Sequence, residues 1–89
     1  MAARTTILVV DDEPLVRELI VETLSFGEYA VRAVDGAQEA FAACEVARPD
    51  VVLLDIGLAG DLDGFAVCRR IRALPDPPAV VFLSGLGGD

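Results

Sequence analysis

Apolar residues along the chain fall into two kinds of run. Short, nearly unbroken runs recur at Ile7–Asp11 (ILVVD), Tyr29–Val34 (YAVRAV), Asp50–Asp55 (DVVLLD) and Ala79–Ser84 (AVVFLS). Runs of this length suit strands, and the continuous ones suit strands buried on both faces. Between them, apolar positions recur at helical spacing. Val16, Leu19, Ile20 and Leu24 repeat along a segment that opens at Pro14, a residue suited to a first helical turn, and stops at Gly27. After an Asp35-Gly36 turn, Ala37–Ala47 is rich in helix formers and places Ala40, Phe41 and Cys44 on one face; Pro49 breaks it. After a glycine-rich loop, GFAVCRRIRAL predicts a third helix with Phe65, Cys68 and Ile71 inward, ended by Pro75, Pro77 and Pro78. GLGGD follows the last strand.

The order β-α-β-α-β-α-β predicts a doubly wound α/β domain, with a parallel sheet, right-handed crossovers and helices on both faces. Such sheets bind at the carboxyl ends of their strands, where strand order reverses. Chemistry-bearing residues stand at those ends: Asp11 and Asp12 after the first strand, Asp55 after the third, Ser84 after the fourth. Taken singly they are ordinary. Asp11 and Asp12 would serve as acids at a helix N-terminus, Asp55 as a loop acid and Ser84 as an N-cap. The signal is their convergence on one edge.

Crowded carboxylates, with no basic residue beside them to offset the charge, suit a hard divalent cation. Mg2+ takes oxygen ligands and needs few protein carboxylates. Asp55 has a second use, as a nucleophile that forms an acyl phosphate. Mg2+ would neutralise the phosphoryl oxygens, Ser84 would offer them a hydroxyl, and Gly85 leaves room. The loop GDLDG hints at a calcium loop, but its frame puts Ala59 at the first ligand position and Arg70 at the last, which rejects it. There is no dinucleotide fingerprint, and SGLGGD lacks the lysine of a Walker loop.

Composition narrows the classes. The 89 residues make one small domain, and 54% apolar with 25% charged residues is a globular balance. The net charge is −8, from 15 acids against 7 basic residues, all arginine; the chain has no lysine and no histidine. That balance argues against direct binding to nucleic acid or to an anionic membrane. No apolar run approaches the roughly 20 residues of a membrane span. MAARTT lacks the apolar core of a signal peptide, which predicts a cytoplasmic location. Cys44 and Cys68 make neither a disulfide framework nor a metal site and are expected as reduced core residues.

LVVDDEP, RPDVVLLDIGL, DGFAVCRRIR and VVFLSG, taken together, resemble the receiver domain of two-component response regulators. The resemblance spans the whole chain. It implies a flavodoxin-like sheet with strand order 2-1-3-4. It implies Asp55 as phosphoacceptor, Asp12 as a direct Mg2+ ligand, Asp11 as a ligand through water, and the Gly57 backbone carbonyl as a further ligand. Ser84 falls at the family's switch hydroxyl. The implied donor is a phosphohistidine on a sensor histidine kinase or phosphotransfer protein, which this histidine-free chain cannot itself supply. The implied role is signalling, with at most self-phosphorylation and self-dephosphorylation as enzymatic activity.

Two departures stand out. Ala59 replaces the family's usual proline, and Asp63-Gly64 arrive one residue late. The family also runs to about five strands and five helices, roughly 120 residues. Residues 1–89 would then be one receiver domain lacking its last strand and two helices, and with them the family's lysine, switch aromatic and usual output face. The fourth strand, Ala79–Leu83, would become an edge open to self-association. Some of Leu8, Val10, Val52 and Leu54 would be partly exposed where a helix is missing. The main alternative is a degenerate receiver serving only as an interaction module. A phosphohydrolase of the haloacid-dehalogenase type wants Asp-x-Asp at the first strand, where this chain has Asp11-Asp12-Glu13.

Overall fold

A computed structural model of the chain describes residues 4–58 and 62–83. Its elements are β1 (Thr5–Val10), α1 (Pro14–Leu24), β2 (Tyr29–Val34), α2 (Ala37–Val46), β3 (Val51–Asp55), α3 (Gly64–Arg72) and β4 (Ala79–Leu83). The strands form one parallel sheet in the order β2-β1-β3-β4. This is the doubly wound α/β arrangement and strand order expected from the alternation and the resemblance. The reversal lies between β1 and β3, so their carboxyl ends flank the crevice that such folds use for binding.

Side-chain alternation sorts the core into two faces. Leu8, Val10, Val52 and Leu54 point to the side covered by α2 and α3, where they pack with Ala40, Cys44, Leu58, Val67, Cys68 and Ile71. All four strand residues are fully buried. The expected exposure of these residues is therefore wrong, because two helices already cover that face. Exposure falls on the opposite face, where α1 packs against β1 and β2. There Val9 is buried, Leu53 half-buried, and Val81 on the edge strand 49% exposed.

Two helix faces differ from the periodicity. Phe65 was expected inward but is 50% exposed, with its ring 5.2 Å from that of Phe82. The buried face of α3 is Gly64, Val67, Cys68 and Ile71. Every residue of α1 is at least partly exposed, and Leu19 is 64% so. Val16, Leu19, Ile20, Thr23 and Leu24 line an open apolar groove. Periodicity identifies an apolar stripe without identifying what covers it. Cys44 and Cys68 are buried free thiols, as composition predicts, and burial pushes the Cys44 thiol up.

The amino ends of the strands are fastened by side chains. Thr6 donates to the Asp50 carboxylate from its backbone N–H at 2.8 Å and its hydroxyl at 3.1 Å. Asp50 N–H donates back to Thr6 Oγ1 at 3.0 Å. Arg48 donates from Nε to the carbonyl of Asp76, a residue in the left-handed region at φ 51°, and pairs with its carboxylate at 3.5 Å.

Candidate functional site

The site grows from the ends of β1 and β3. β1 and β3 pair directly, with Val10 in register with Leu54, so the residues that follow emerge side by side. Carboxylate oxygens of Asp11, Asp12 and Asp55 lie within 4.8 Å of one another. Among the described residues this is the group of acids, histidines or cysteines close enough to share one metal ion.

Asp11 sits just past β1, and its amide still donates to Val34 O at 3.2 Å, extending the β1–β2 ladder by one bond. It is 3% exposed. Its Oδ1 accepts the Glu13 N–H at 2.9 Å, a local turn that leads the chain into α1. Burial pushes the Asp11 carboxyl above the ordinary aspartate range; the Glu13 amide opposes this, the charges of Asp55 and Asp12 add to it, and Arg17 pulls it back. Three oxygen donors of like charge, one of them buried and resisting ionisation, fit a hard cation. Bound there, it would relieve both the desolvation and the mutual repulsion.

Arg17 is the residue that sequence reasoning missed. The expectation of no basic residue beside the acids is overturned by its guanidinium, which donates from Nη1 to the Asp11 carbonyl at 2.7 Å. Its place at the end of the first turn of α1 gives no hint of this, because the partner is a backbone atom before the helix. The weak signal was that it is the one arginine between Arg4 and Arg32.

Asp55 closes β3, paired with Leu83 at the end of β4. Its Oδ1 accepts the Gly57 N–H at 3.0 Å, which turns the carboxylate toward the loop above the sheet. The same loop is anchored from the other side. Gly64 N–H donates to Ile56 O at 3.2 Å, and Asp63 caps α3 by accepting from Ala66 N–H at 2.9 Å. A Cβ on Gly64 would stand 2.4 Å from the Asp55 carbonyl oxygen and 2.7 Å from Ile56 Cα. Only glycine lets α3 begin this close to the end of β3. The late Asp63-Gly64 pair thus still docks beside the acid. Of the other expected site residues, Gly57 is placed here through its N–H. Ser84 lies outside the described residues, as do Ala59 and Gly85.

A doubly wound parallel sheet with an acid triplet at its switch point is an arrangement that could hold a hard cation. Comparison narrows the reading. Residues 7–89 match the family model of the response regulator receiver domain, and the chain belongs to that family. It is 40% identical over 78 residues to the response regulator MprA of Mycolicibacterium vanbaalenii, covering 88% of this chain and 33% of that protein. It is 39% identical over 88 residues to the probable transcriptional regulator ycf27 of Guillardia theta, covering 98% of this chain and 34% of that protein. The chain therefore spans about a third of the length of these curated relatives. The N-terminal domain of a response regulator receiver protein from Methanoculleus marisnigri superimposes with a TM-score of 0.82 at 36% identity, over 90% of this chain and 66% of that one. Among the described residues, no helix is long and apolar enough to cross a membrane.

Proposed function

We propose that this receiver domain accepts a phosphoryl group on Asp55 from a phosphohistidine of a sensor histidine kinase or phosphotransfer protein. An Asp55 carboxylate oxygen attacks phosphorus, the P–N bond to the donor imidazole breaks, and the imidazole leaves to recover a proton from solvent. The product is an aspartyl phosphate. Asp12 is the direct Mg2+ ligand, Asp11 a ligand through water, and Asp55 with the Gly57 carbonyl completes the protein's share. Mg2+ supplies charge neutralisation to the carboxylates and the incoming phosphoryl oxygens. The Ser84 hydroxyl is the switch group that would contact the phosphoryl oxygens. The domain works in the cytoplasm, as a signalling module and not as an enzyme acting on other substrates, and does not itself bind nucleic acid.

The observation that carries this reading is the convergence of the three carboxylates within 4.8 Å. Family membership supports it. Incubation with a small acyl-phosphate donor and Mg2+ should add one phosphoryl group by intact mass. Hydroxylamine should remove the label, and Asp55→Asn should prevent it. A label that survives either treatment would overturn the assignment.

A second reading is favoured by one observation: these 89 residues contain no lysine, so none can hold the phosphoryl oxygens as an ammonium would. On that reading the domain binds Mg2+ but serves as an interaction module without productive switching. Mg2+ binding without any mass gain would select it.

A further inference from the structure

Arg17 does more than sit beside the acids. Its backbone N–H donates to Glu13 O at 3.0 Å, Glu13 N–H donates to Asp11 Oδ1 at 2.9 Å, and Arg17 Nη1 donates to Asp11 O at 2.7 Å. These bonds close a ring that holds Asp11 by its carbonyl and its carboxylate at once. The ring ties the first turns of α1 to the end of β1, and one oxygen of the buried acid is fixed by it.

We propose that Arg17 is a positioning residue for the acid cup: it sets the geometry in which Asp11 and Asp12 meet a divalent cation, and so tunes affinity and favours Mg2+ over Ca2+. The inference rests on the reading of these acids as a Mg2+ site. Two effects of the guanidinium have opposite signs. As a positive charge beside a cation site it weakens cation binding, so its removal alone would tighten binding of any divalent ion. As the clamp on the Asp11 carbonyl it acts indirectly, fixing the turn in which Glu13 N–H holds the Asp11 carboxylate that would reach the ion through water; outer partners that hold ligand groups in place carry about 10–100-fold in affinity. Mg2+ demands near-octahedral geometry, whereas Ca2+ accepts flexible coordination. Loss of the clamp should therefore injure Mg2+ binding more than Ca2+ binding.

Calorimetric titration of Mg2+ and of Ca2+ into the 89-residue chain, Asp12→Ala and Arg17→Met tests this, with circular dichroism to establish that each variant is folded. Arg17→Met is expected to bind Mg2+ about tenfold more weakly and to lose less affinity for Ca2+, so that the ratio of the two falls. Equal or tighter Mg2+ binding by Arg17→Met would show the guanidinium to be a counter-charge and overturn the proposal. An equal loss for both ions would mark a general structural role and overturn it too. If Arg17→Met does not fold, Arg17→Gln, neutral and two bonds shorter, carries the same comparison. Absence of Mg2+ binding by the unsubstituted chain would remove the cup itself. Binding that Asp12→Ala abolishes and Arg17→Met leaves intact would remove only the role of Arg17.

Discussion

Asp12 and Asp50 show how the same side chain serves opposite ends of the sheet. At the carboxyl end, Asp12 is partly buried among like charges. Asp12→Ala should abolish most Mg2+ binding, and equal affinity in both proteins by calorimetry would dismantle the cup. At the amino end, the bonds from the Thr6 backbone and hydroxyl, with Arg48 nearby, hold the Asp50 carboxyl below its ordinary range. A depressed carboxylate contributes stability that is present above the unfolded pKa and lost as pH falls through the folded value. Asp50→Asn should therefore lower the melting temperature slightly at neutral pH. The gap should close in acid, once Asp50 is protonated in both folded and unfolded chains. A gap that stays constant from neutral pH into strong acid would show that the clasp acts through shape and not through charge.

Among the elements, the junction of β3 with α3 matters most to the site. Gly64→Ala forces a methyl against the Asp55 carbonyl and the Ile56 backbone, neither of which can swing aside. The expected cost is about 1–3 kcal/mol, as for overpacking elsewhere. Because the strain falls on Asp55 itself, Mg2+ binding should weaken as well. A urea melt and a Mg2+ titration of the same variant check both, and an unchanged Mg2+ affinity would show that Asp55 is positioned independently of α3. Asp63→Ala removes only the cap and should cost about 1 kcal/mol. The junction also marks what sequence conveys. Asp11, Asp12 and Asp55 were legible because apolar runs end at them, and the strand order puts those ends together. Gly64 was legible as a motif residue but not as a contact, since the backbone it touches is eight and nine positions earlier in the chain. Phe65 and the α1 stripe misled for one reason: periodicity names the apolar face of a helix, while exposure depends on which elements lie over it. Arg17 was illegible because its partner is a carbonyl, and every residue has one.

At the scale of the whole molecule, the apolar surface is unevenly covered. Among the described residues, large apolar side chains are left in solvent, among them Leu15, Leu19, Phe26, Phe65 and Val81. Among the described residues β4 pairs only with β3. Its sequence, AVVFL, has no charge and no proline to discourage pairing of its other edge. We therefore predict that the isolated 89-residue chain self-associates along Ala79–Leu83. Light scattering should show a species larger than the monomer, and thermal unfolding should be broad. Val81→Lys should shift the chain toward monomer, since it adds a charge at a half-exposed position on the edge strand without touching the acid cup. The like charges that oppose association across the whole surface, a net −8, make a salt effect informative. Added salt screens that repulsion, so the oligomer should grow with ionic strength in the unsubstituted chain and much less in Val81→Lys. A monomer at all salt concentrations, with a sharp cooperative melt above about 50 °C, would show instead that the four strands and three helices suffice by themselves.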